Sequence, residues 1–502
     1  MPPSDWIFLV IFFTALLSVI GFAEFVRRRL HWSPETARKS AHILTGVLVS
    51  LTPFVLQSMW PMLILSIIFA LLDLLAVQKG LFPGMHGLKR QSYGTVYYPI
   101  SFAVLVVLLW NHNKLVLVTS MLIMALADAA AATVGENVKN PRVLHFGPEK
   151  KSLQGSLAMF FSTFLIVFIS MRFFSFINQE SLSLVIILWI AFIVALIATA
   201  SELISVQGSD NLTVPLSSAF TLYYMLTNPV SERLGFTIGV GLALVVAFTS
   251  YKLKFLDAGG AIVTFLLASL VFGIGRWTFS VPILAFFILS STLSKIGKKR
   301  KEKFVAVFEK SSRRDLWQVA ANGGLPGLFV VMWYFFPLNI FYLLYVCALA
   351  SVMADTWGTE IGILSKSRPR SIINFKLVAP GTSGGISLFG SFGALLGSVI
   401  LVMFGAMSGT FNSSRIIGFN EFLVLSLAGL LGGMVDSYLG GTIQAQFQCP
   451  VCGLTTEKKF HCDNSPTKLV RGYGWINNDV VNFFCAISGA LFVLLARIVG
   501  LV

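Results

Sequence analysis

The sequence predicts an all-α, polytopic integral membrane protein made of two tandem, distantly related helical bundles with about 16 transmembrane helices. Three observations predict it. The 502 residues are 56% hydrophobic and 12% charged, and the mean hydropathy is +0.81, a membrane-protein composition. Apolar runs of roughly 16 to 23 residues, long enough to cross a bilayer as helices, recur from end to end. The cations also segregate. If the N-terminus starts outside, every Lys and Arg except Lys114, Arg172, Arg233, Arg276, Arg415 and Arg497 falls on the inner loops, as the positive-inside rule requires.

In chain order the spans of the first bundle are 4–26, 41–59, 60–78, 95–110, 115–134, 153–170, 182–200 and 213–228. Those of the second are 234–250, 256–273, 279–294, 317–335, 339–356, 384–406, 420–440 and 479–500. The inner loops alternate with them: 27–40, 79–92, 135–152 and 201–212 in the first bundle, then 251–255, 295–316, 357–383 and 441–478. Slipping one span would scramble the charge segregation, so count and orientation support each other. The domains are therefore 1–230 and 235–502, the latter with a Cys/His loop at 441–478. The net charge of +15 reads as topology and as a surface for anionic lipid or nucleotide, with no nucleic acid as partner. Met1-Pro-Pro-Ser-Asp-Trp6 lacks the basic start of a secretory signal, and the expected location is a bacterial plasma membrane with the active sites facing the cytoplasm.

Polar residues collect on the inner side. Ala127-Asp128-Ala-Ala-Ala-Ala-Thr-Val-Gly135 returns in the second bundle as Ala354-Asp355-Thr-Trp-Gly-Thr-Glu-Ile-Gly362. At helical spacing Asp128 shares a stripe with Ala131, Ala132 and Gly135, and Asp355 with Gly358, Thr359 and Gly362. Such a stripe permits close approach either by a neighbouring helix or by a phosphate and its metal. Ionisable residues within membranes usually line a functional path, which favours chemistry. Phosphoryl transfer from a nucleotide to an alcohol needs oxygen ligands for a divalent cation, cations to neutralise charge, and turns with available N–H groups. The candidates of those types are Arg38, Lys39, His42, Asp128, Lys150, Lys151, Ser152, Gly155, Ser156, Glu202, Asp210 and Asn211 in the first bundle. In the second they are Asn322, Asp355, Glu360, Thr382, Ser383, Gly384, Gly385, Asp436, Asn478 and Asp479. Lys89 and Arg90 and the cationic run Lys295 to Arg314 lie on the same side and also suit a solvated inner loop. No G-x-x-x-x-G-K-[ST], H-R-D, D-F-G or Asp-Gly occurs, which excludes P-loop enzymes, protein kinases and the usual CDP-alcohol phosphotransferases.

Residues 33 to 215 resemble the phytol kinase and dolichol kinase family through Arg38-Lys39-x-x-His42, Tyr93-Gly94-x-x-Tyr97-Tyr98-Pro99, Ala127-Asp128-x-x-Ala131-x-x-x-Gly135, Lys151-Ser152-x-x-Gly155-Ser156, Glu202-x-x-Ser205 and Asp210-Asn211-x-x-Val214-Pro215. From about 235 onward the chain is similar to the domain-of-unknown-function 92 family that contains phytyl-phosphate kinase. There the matching pieces are Leu256-Asp257-Ala-Gly259-Gly260-Ala261, Ser294-Lys-Ile-Gly297-Lys298-Lys299-Arg300-Lys301, Gln318-Val-Ala-Ala-Asn322-Gly323-Gly324, Asp355-Thr-Trp357-Gly-Thr-Glu360-Ile-Gly362, Thr382-Ser383-Gly384-Gly385, and Asp436-Ser437 through Cys449-x-x-Cys452, His461-Cys462 and Asn477-Asn-Asp479. Singly these motifs are weak; their order makes the resemblance specific. It implies a fusion of two consecutive kinases acting on phytol or a similar isoprenoid alcohol, first to the monophosphate and then to the diphosphate. The implied donor is CTP with Mg²⁺, held by Asp128 in one site and Asp355 in the other. Glu202, Asp210 and Asp436 complete the catalytic carboxylates. The two Asp motifs suggest distant paralogy limited to the core, with Gly155 pairing with Gly384 by spacing.

Cys449-x-x-Cys452 with His461-Cys462 is of the kind that forms a structural Zn²⁺ site, although adjacent ligands make simultaneous binding tight. An inner location disfavours a disulfide there. Two other functions use the same ingredients. A secondary transporter also has tandem halves and polar helices, but with its polar residues at mid-bilayer rather than at one face. A CTP-dependent cytidylyltransferase acting on a lipid would release diphosphate instead of CDP.

Overall fold

The computed structural model describes residues 2–79, 92–147, 149–177, 182–296, 313–365, 367–409 and 417–501. Lys89, Arg90 and most of the cationic run Lys295 to Arg314 lie outside them. The chain divides into two compact units, Met1–Arg233 and Leu234–Val502. Among the described residues the fold is all-α apart from short two- and three-stranded pieces in the loops.

The first unit holds α1 (Pro3–Arg29), α2 (Pro34–Val55), α3 (Trp60–Lys79), α4 (Gly94–Leu109), α5 (Lys114–Asn137), α6 (Leu153–Ile177), α7 (Leu184–Leu203) and α8 (Asp210–Thr227). The second holds α9 (Val230–Lys252), α10 (Ala258–Ile274), α11 (Arg276–Lys295), α12 (Leu316–Phe335), α13 (Asn339–Leu364), α14 (Leu388–Gly409), α15 (Phe419–Thr442) and α16 (Asn478–Ile498). A helical rod thus stands at each expected apolar run. Only 11 of them are both long and apolar enough to cross a membrane, with Gly94–Leu109 and Ala258–Ile274 shorter apolar helices, so the expectation of 16 full spans is not met by length and hydropathy.

Several boundaries differ from the hydropathy reading for local reasons. Helix α2 begins at Pro34, not near residue 41, because Ser33 caps it by accepting the Thr36 N–H at 3.1 Å and Pro34 occupies the first turn. Arg38 and Lys39 are therefore helical residues rather than loop residues, in one and the same helix as His42. Helix α13 continues through Gly358 and Gly362 to Leu364, and α14 starts at Leu388, leaving Gly384 in a turn and Gly385 in a short strand between them.

The core of each unit is the helix that carries the repeated Asp. In the first unit 67% of the best apolar window of α5 is buried, and in the second 72% of that of α13, the largest share in each unit. Both are followed by a miniature antiparallel hairpin. In the first, β1 (Val143–Leu144) pairs with β2 (Lys151–Ser152); in the second, β3 (Arg370–Ser371) pairs with β4 (Gly385–Ile386). The loop after α15 adds a three-stranded sheet of β5 (Gln446–Gln448), β6 (Thr455–Thr456) and β9 (Lys468–Arg471), and the hairpin β7 (Phe460–His461) with β8 (Ser465–Pro466).

Candidate functional site

In the first unit the site grows around an irregularity. Residues Ile123–Ala127 of α5 form a π turn that ends immediately before Asp128. A π turn shifts carbonyls out of the ordinary helical register, and one of them, Met124 O, accepts the His42 Nε2–H at 3.2 Å. Helix α2 comes this near because Gly46 faces α5; a Cβ on Gly46 would collide with that of Ala125. His42 also lies edge-on to Tyr98 of α4, with centroids 5.0 Å apart.

Strand β2 aims the lysine. Lys150, just before the strand, is exposed, while the side chain of Lys151 within it is only 16% exposed. Lys151 Nζ donates to Glu202 Oε1 at 2.5 Å and to Ser205 Oγ at 3.3 Å, and stands 4.0 Å from Asp210 Oδ2. Burial opposes its charge, but Glu202, Asp210 and Asp128 together hold its pKa above the ordinary lysine value. Asp128 interacts electrostatically with Asp210, Lys151, Glu202 and Arg38. Three carboxylates from α5, α7 and α8 thus share one buried lysine.

Asp210 links this group to a cavity. Its Oδ1 accepts both the Asn211 backbone N–H and Asn211 Nδ2–H at 3.0 Å, and Asn211 lines a cavity of about 160 Å³ whose walls, from α1 to α4, are mainly apolar but include Asp73 of α3, a carboxylate not singled out from the sequence. The polar end of that cavity carries Arg38, His42, Thr95 and Tyr98. The Thr95 and Tyr98 hydroxyls are buried there without a hydrogen-bond partner, which in a native structure calls for an explanation. Neither was singled out as a site residue from the sequence; the Tyr93-Gly94-x-x-Tyr97-Tyr98 run was the available signal.

Other first-unit candidates hold the scaffold instead. Lys39 pairs with Glu136 at 2.5 Å. Ser152 Oγ accepts the Gly155 N–H at 3.1 Å and Ser152 O the Ser156 hydroxyl at 3.1 Å, so these residues cap the start of α6 rather than offering free amides to a phosphate. Gly155 packs on the small-residue stripe of α5: a Cβ there would stand 2.9 Å from Ala131 O and 3.4 Å from Gly135 Cα. The stripe beside Asp128 therefore serves helix packing.

The second unit repeats this construction at a different place from the one spacing suggested. Ser387 Oγ accepts the Gly390 N–H at 3.1 Å, and Gly390 packs on Gly358 and Gly362 of α13. The counterpart of Ser152-x-x-Gly155 is thus Ser387-x-x-Gly390, and Gly384 is not the equivalent of Gly155. By that Ser-x-x-Gly offset Ile386 stands where the first unit has Lys151, and by hairpin pairing Gly385 does, so neither alignment supplies a lysine. Gly384 adopts φ +80°, and any side chain there would collide with Gly441. The Gly385 N–H is taken by Thr382 O at 2.9 Å, and Thr382 donates its own hydroxyl to Ala379 O at 2.8 Å.

Asp355 and Asp436 meet side chain to side chain within hydrogen-bonding reach, because Gly429, Gly432 and Gly433 let α15 lie against Ala350, Ser351 and Ala354 of α13. One oxygen of Asp436 is buried without a hydrogen-bond partner. A third carboxylate, Glu457, was missed from the sequence. It follows β6, accepts from Ser383 Oγ at 2.8 Å and Gln444 Nε2 at 3.0 Å, and interacts electrostatically with both aspartates. Nothing local in the sequence distinguishes it from a loop glutamate.

Arg314 is a partly buried cation of this unit that interacts electrostatically with Glu360. Its guanidinium lies over Phe286 and Phe287, 5.4 and 5.7 Å from the centroids; burial pulls its pKa down to about 10 while Glu360 holds it up. With Asn322, whose side-chain oxygen is buried and unbonded, it lines an otherwise apolar cavity of about 70 Å³. Asn478 and Asp479 form the first turn of α16, capped by Asn477 accepting the Val480 N–H at 3.1 Å, where an acid complements the helix dipole.

The thiols and imidazole of Cys449, Cys452, His461 and Cys462 gather with all ligand atoms within 4.8 Å of one another, the one group of three or more metal-type side chains so close among the described residues. The carboxylates are more open. That suits Mg²⁺, which ordinarily takes one or two carboxylates and completes its shell with water and phosphate oxygens. The unbonded oxygens of Asp436 and Glu202, each in a group with more carboxylates than cations, are hard donors that fit it.

Residues 241–490 match the model of the family described as integral membrane protein DUF92. The chain is 32% identical to Protein PGR of Arabidopsis thaliana over 273 residues, covering 50% of this chain and 93% of that protein. It is 32% identical to a protein named phytol kinase from Synechocystis sp. over 216 residues, 43% of this chain and 89% of that one. A lower likeness, 23% over 248 residues, links 48% of the chain with 65% of Protein VTE6, chloroplastic, of Arabidopsis thaliana. No solved structure matches. The chain belongs to the DUF92 family of integral membrane proteins and is related to the phytol kinases.

Proposed function

We propose that the protein is a CTP-dependent kinase for phytol or a similar prenol, the first unit making the monophosphate and the second converting it to the diphosphate at the cytoplasmic face of a bacterial plasma membrane. The observation that carries this reading is the Asp210–Asn211 hydrogen bond. It joins an apolar cavity ending in hydroxyl and imidazole groups to a lysine shared by three carboxylates. A prenyl chain suits such a cavity, and its hydroxyl would end beside Asn211, Thr95 and Tyr98. The relationship to phytol kinases agrees with it.

The chain's own groups divide the work. Asp210, bonded to the cavity-lining Asn211, would accept the alcohol proton as the hydroxyl oxygen attacks the terminal phosphorus of CTP and the bridging P–O bond breaks to release CDP. Lys151, kept charged by its acids, neutralises the transferred group. Arg38 and His42 line the polar end of the cavity and would orient the head of the alcohol. When bound, Mg²⁺ held by Asp128 in the first site and by Asp355 with Asp436 in the second would supply charge neutralisation on the phosphates. The second site has no lysine at the place of Lys151; Arg314 and Asn322 border the cavity of that unit, Glu360 interacts electrostatically with Arg314 and Asp355, and Glu457 is the third acid.

Purified protein given radiolabelled CTP and phytol should yield both phosphates. Asp128→Asn should abolish the first step and spare conversion of supplied monophosphate; Asp355→Asn should let monophosphate accumulate. Failure to label either product, or release of diphosphate in place of CDP, would overturn the kinase reading, the latter in favour of cytidylyl transfer.

A further inference from the structure

We infer that Cys449, Cys452, His461 and Cys462 bind one structural Zn²⁺, and that this ion joins two hairpins into the platform that carries Glu457. The inference is independent of which nucleotide or lipid the protein uses.

Each hairpin delivers a pair of ligands. In the first, β5 and β6 are joined by a knuckle in which the Cys449 N–H donates to Leu454 O at 3.0 Å and the Gly453 N–H to Cys449 O at 2.9 Å. Gly453 sits at φ +71°, which lets the chain double back so that Cys449 and Cys452 face one point. In the second, β7 and β8 are joined through Cys462, Asp463 and Asn464, at φ 38°, 55° and 65°. Three consecutive non-glycine residues in the left-handed region are costly and persist only where the surroundings hold them. That run also answers the objection that adjacent ligands cannot bind together. It turns Cys462 back beside His461, placing Cys462 Sγ 3.2 Å and Cys452 Sγ 3.5 Å from His461 Nδ1.

The donor set chooses the metal. Three thiolates and one imidazole gathered within 4.8 Å make a small enclosure suited to a tetrahedral ion with bonds of about 2.0 to 2.3 Å, and Zn²⁺ has no geometric preference to oppose it. All four positions are protein ligands, so the site is closed and structural rather than catalytic. The cysteines are free thiols, and a disulfide would consume two donors while leaving the others unused. Between the two knuckles lie Glu457 and Lys458; Thr467 ties the segment across by donating to Lys459 O at 3.0 Å and Lys458 O at 2.8 Å. Welding the hairpins therefore fixes the segment that reaches Ser383.

The test is elemental analysis of the full-length protein purified in detergent without chelator. About one zinc per chain is expected, falling to background in Cys449→Ser and in Cys462→Ser with the helical circular-dichroism signal retained. Because a variant can lose metal by unfolding, the wild-type chain is also titrated with a mercurial thiol reagent. Zinc release should track thiol modification, and Co²⁺ exchanged into the site should show the charge-transfer absorption of a tetrahedral thiolate complex. Removal of zinc should open new protease cleavage between Cys449 and Thr467. Protein with no zinc, with iron in its place, or with these cysteines recovered as a disulfide would overturn the proposal, and zinc whose removal leaves proteolysis unchanged would overturn the platform role.

Discussion

Replacing Lys151 by Met isolates the central electrostatic claim for the first unit. The Lys151 and Glu202 side chains are 16% and 8% exposed, so removing the cation strands a carboxylate with two acidic neighbours in a largely dry site. Breaking a buried pair from one side costs about 3–5 kcal/mol, whereas removing both charges is far milder. For a unit of this size that corresponds to a drop of roughly 6–20 °C in the melting temperature. Thermal melts followed by circular dichroism on Lys151→Met, Glu202→Gln and the double variant form a cycle, and the double variant should recover most of the loss. The pH dependence has a fixed sign. The folded pKa of Lys151 is raised, so its contribution is fully present below the ordinary lysine value of about 10.4 and fades only as pH climbs through the higher folded value. The gap between wild type and Lys151→Met should be flat across neutral pH and narrow only in strong alkali. A coupling energy under about 0.5 kcal/mol, or a gap that closes near neutrality, would refute the shared-lysine description.

Two further outcomes follow from named contacts. Tyr98→Phe removes a buried hydroxyl that bonds nothing within the protein; stability should be unchanged or slightly higher, while KM for the alcohol rises about fivefold to tenfold, the worth of one hydrogen bond, as read in the phytol phosphorylation assay. Gly384→Ala should destabilise the second unit by about 1 to 3 kcal/mol in the same melts, since Gly384 is at φ +80° and abuts Gly441; wild-type stability in this variant would contradict the tight seating of the 382–385 loop on α15.

What the sequence made legible is the sequence of rods, because hydrophobic runs and flanking cations report directly on burial in lipid. Helix α2 shows where that reading ends: the first turns carry Arg38 and Lys39, so hydropathy discards a stretch that Ser33 and Pro34 start as helix. Among the site residues, the repeated Asp could be found because a carboxylate in an apolar run is improbable without a role. The Gly and Ser clusters were harder to assign, since a small residue serves a phosphate or a neighbouring backbone equally well; Gly155 and Gly390 serve backbones. Glu457 reaches its partners from a loop far along the chain, and the π turn ahead of Asp128 leaves no local composition to recognise.

That π turn makes the two aspartate helices mechanically unequal. It stores one residue beyond the regular winding of α5, and a stored residue can migrate along a helix like a crease along a carpet. Each position it passes turns by about 100° around the axis. Asp128 stands at its edge, next to the carbonyl that His42 grips. Shifting the crease past Asp128 would swing the carboxylate out of its circle of charges and loosen that grip in one motion. Asp355 rides a helix wound regularly from Asn339 to Leu364 and has no such pivot.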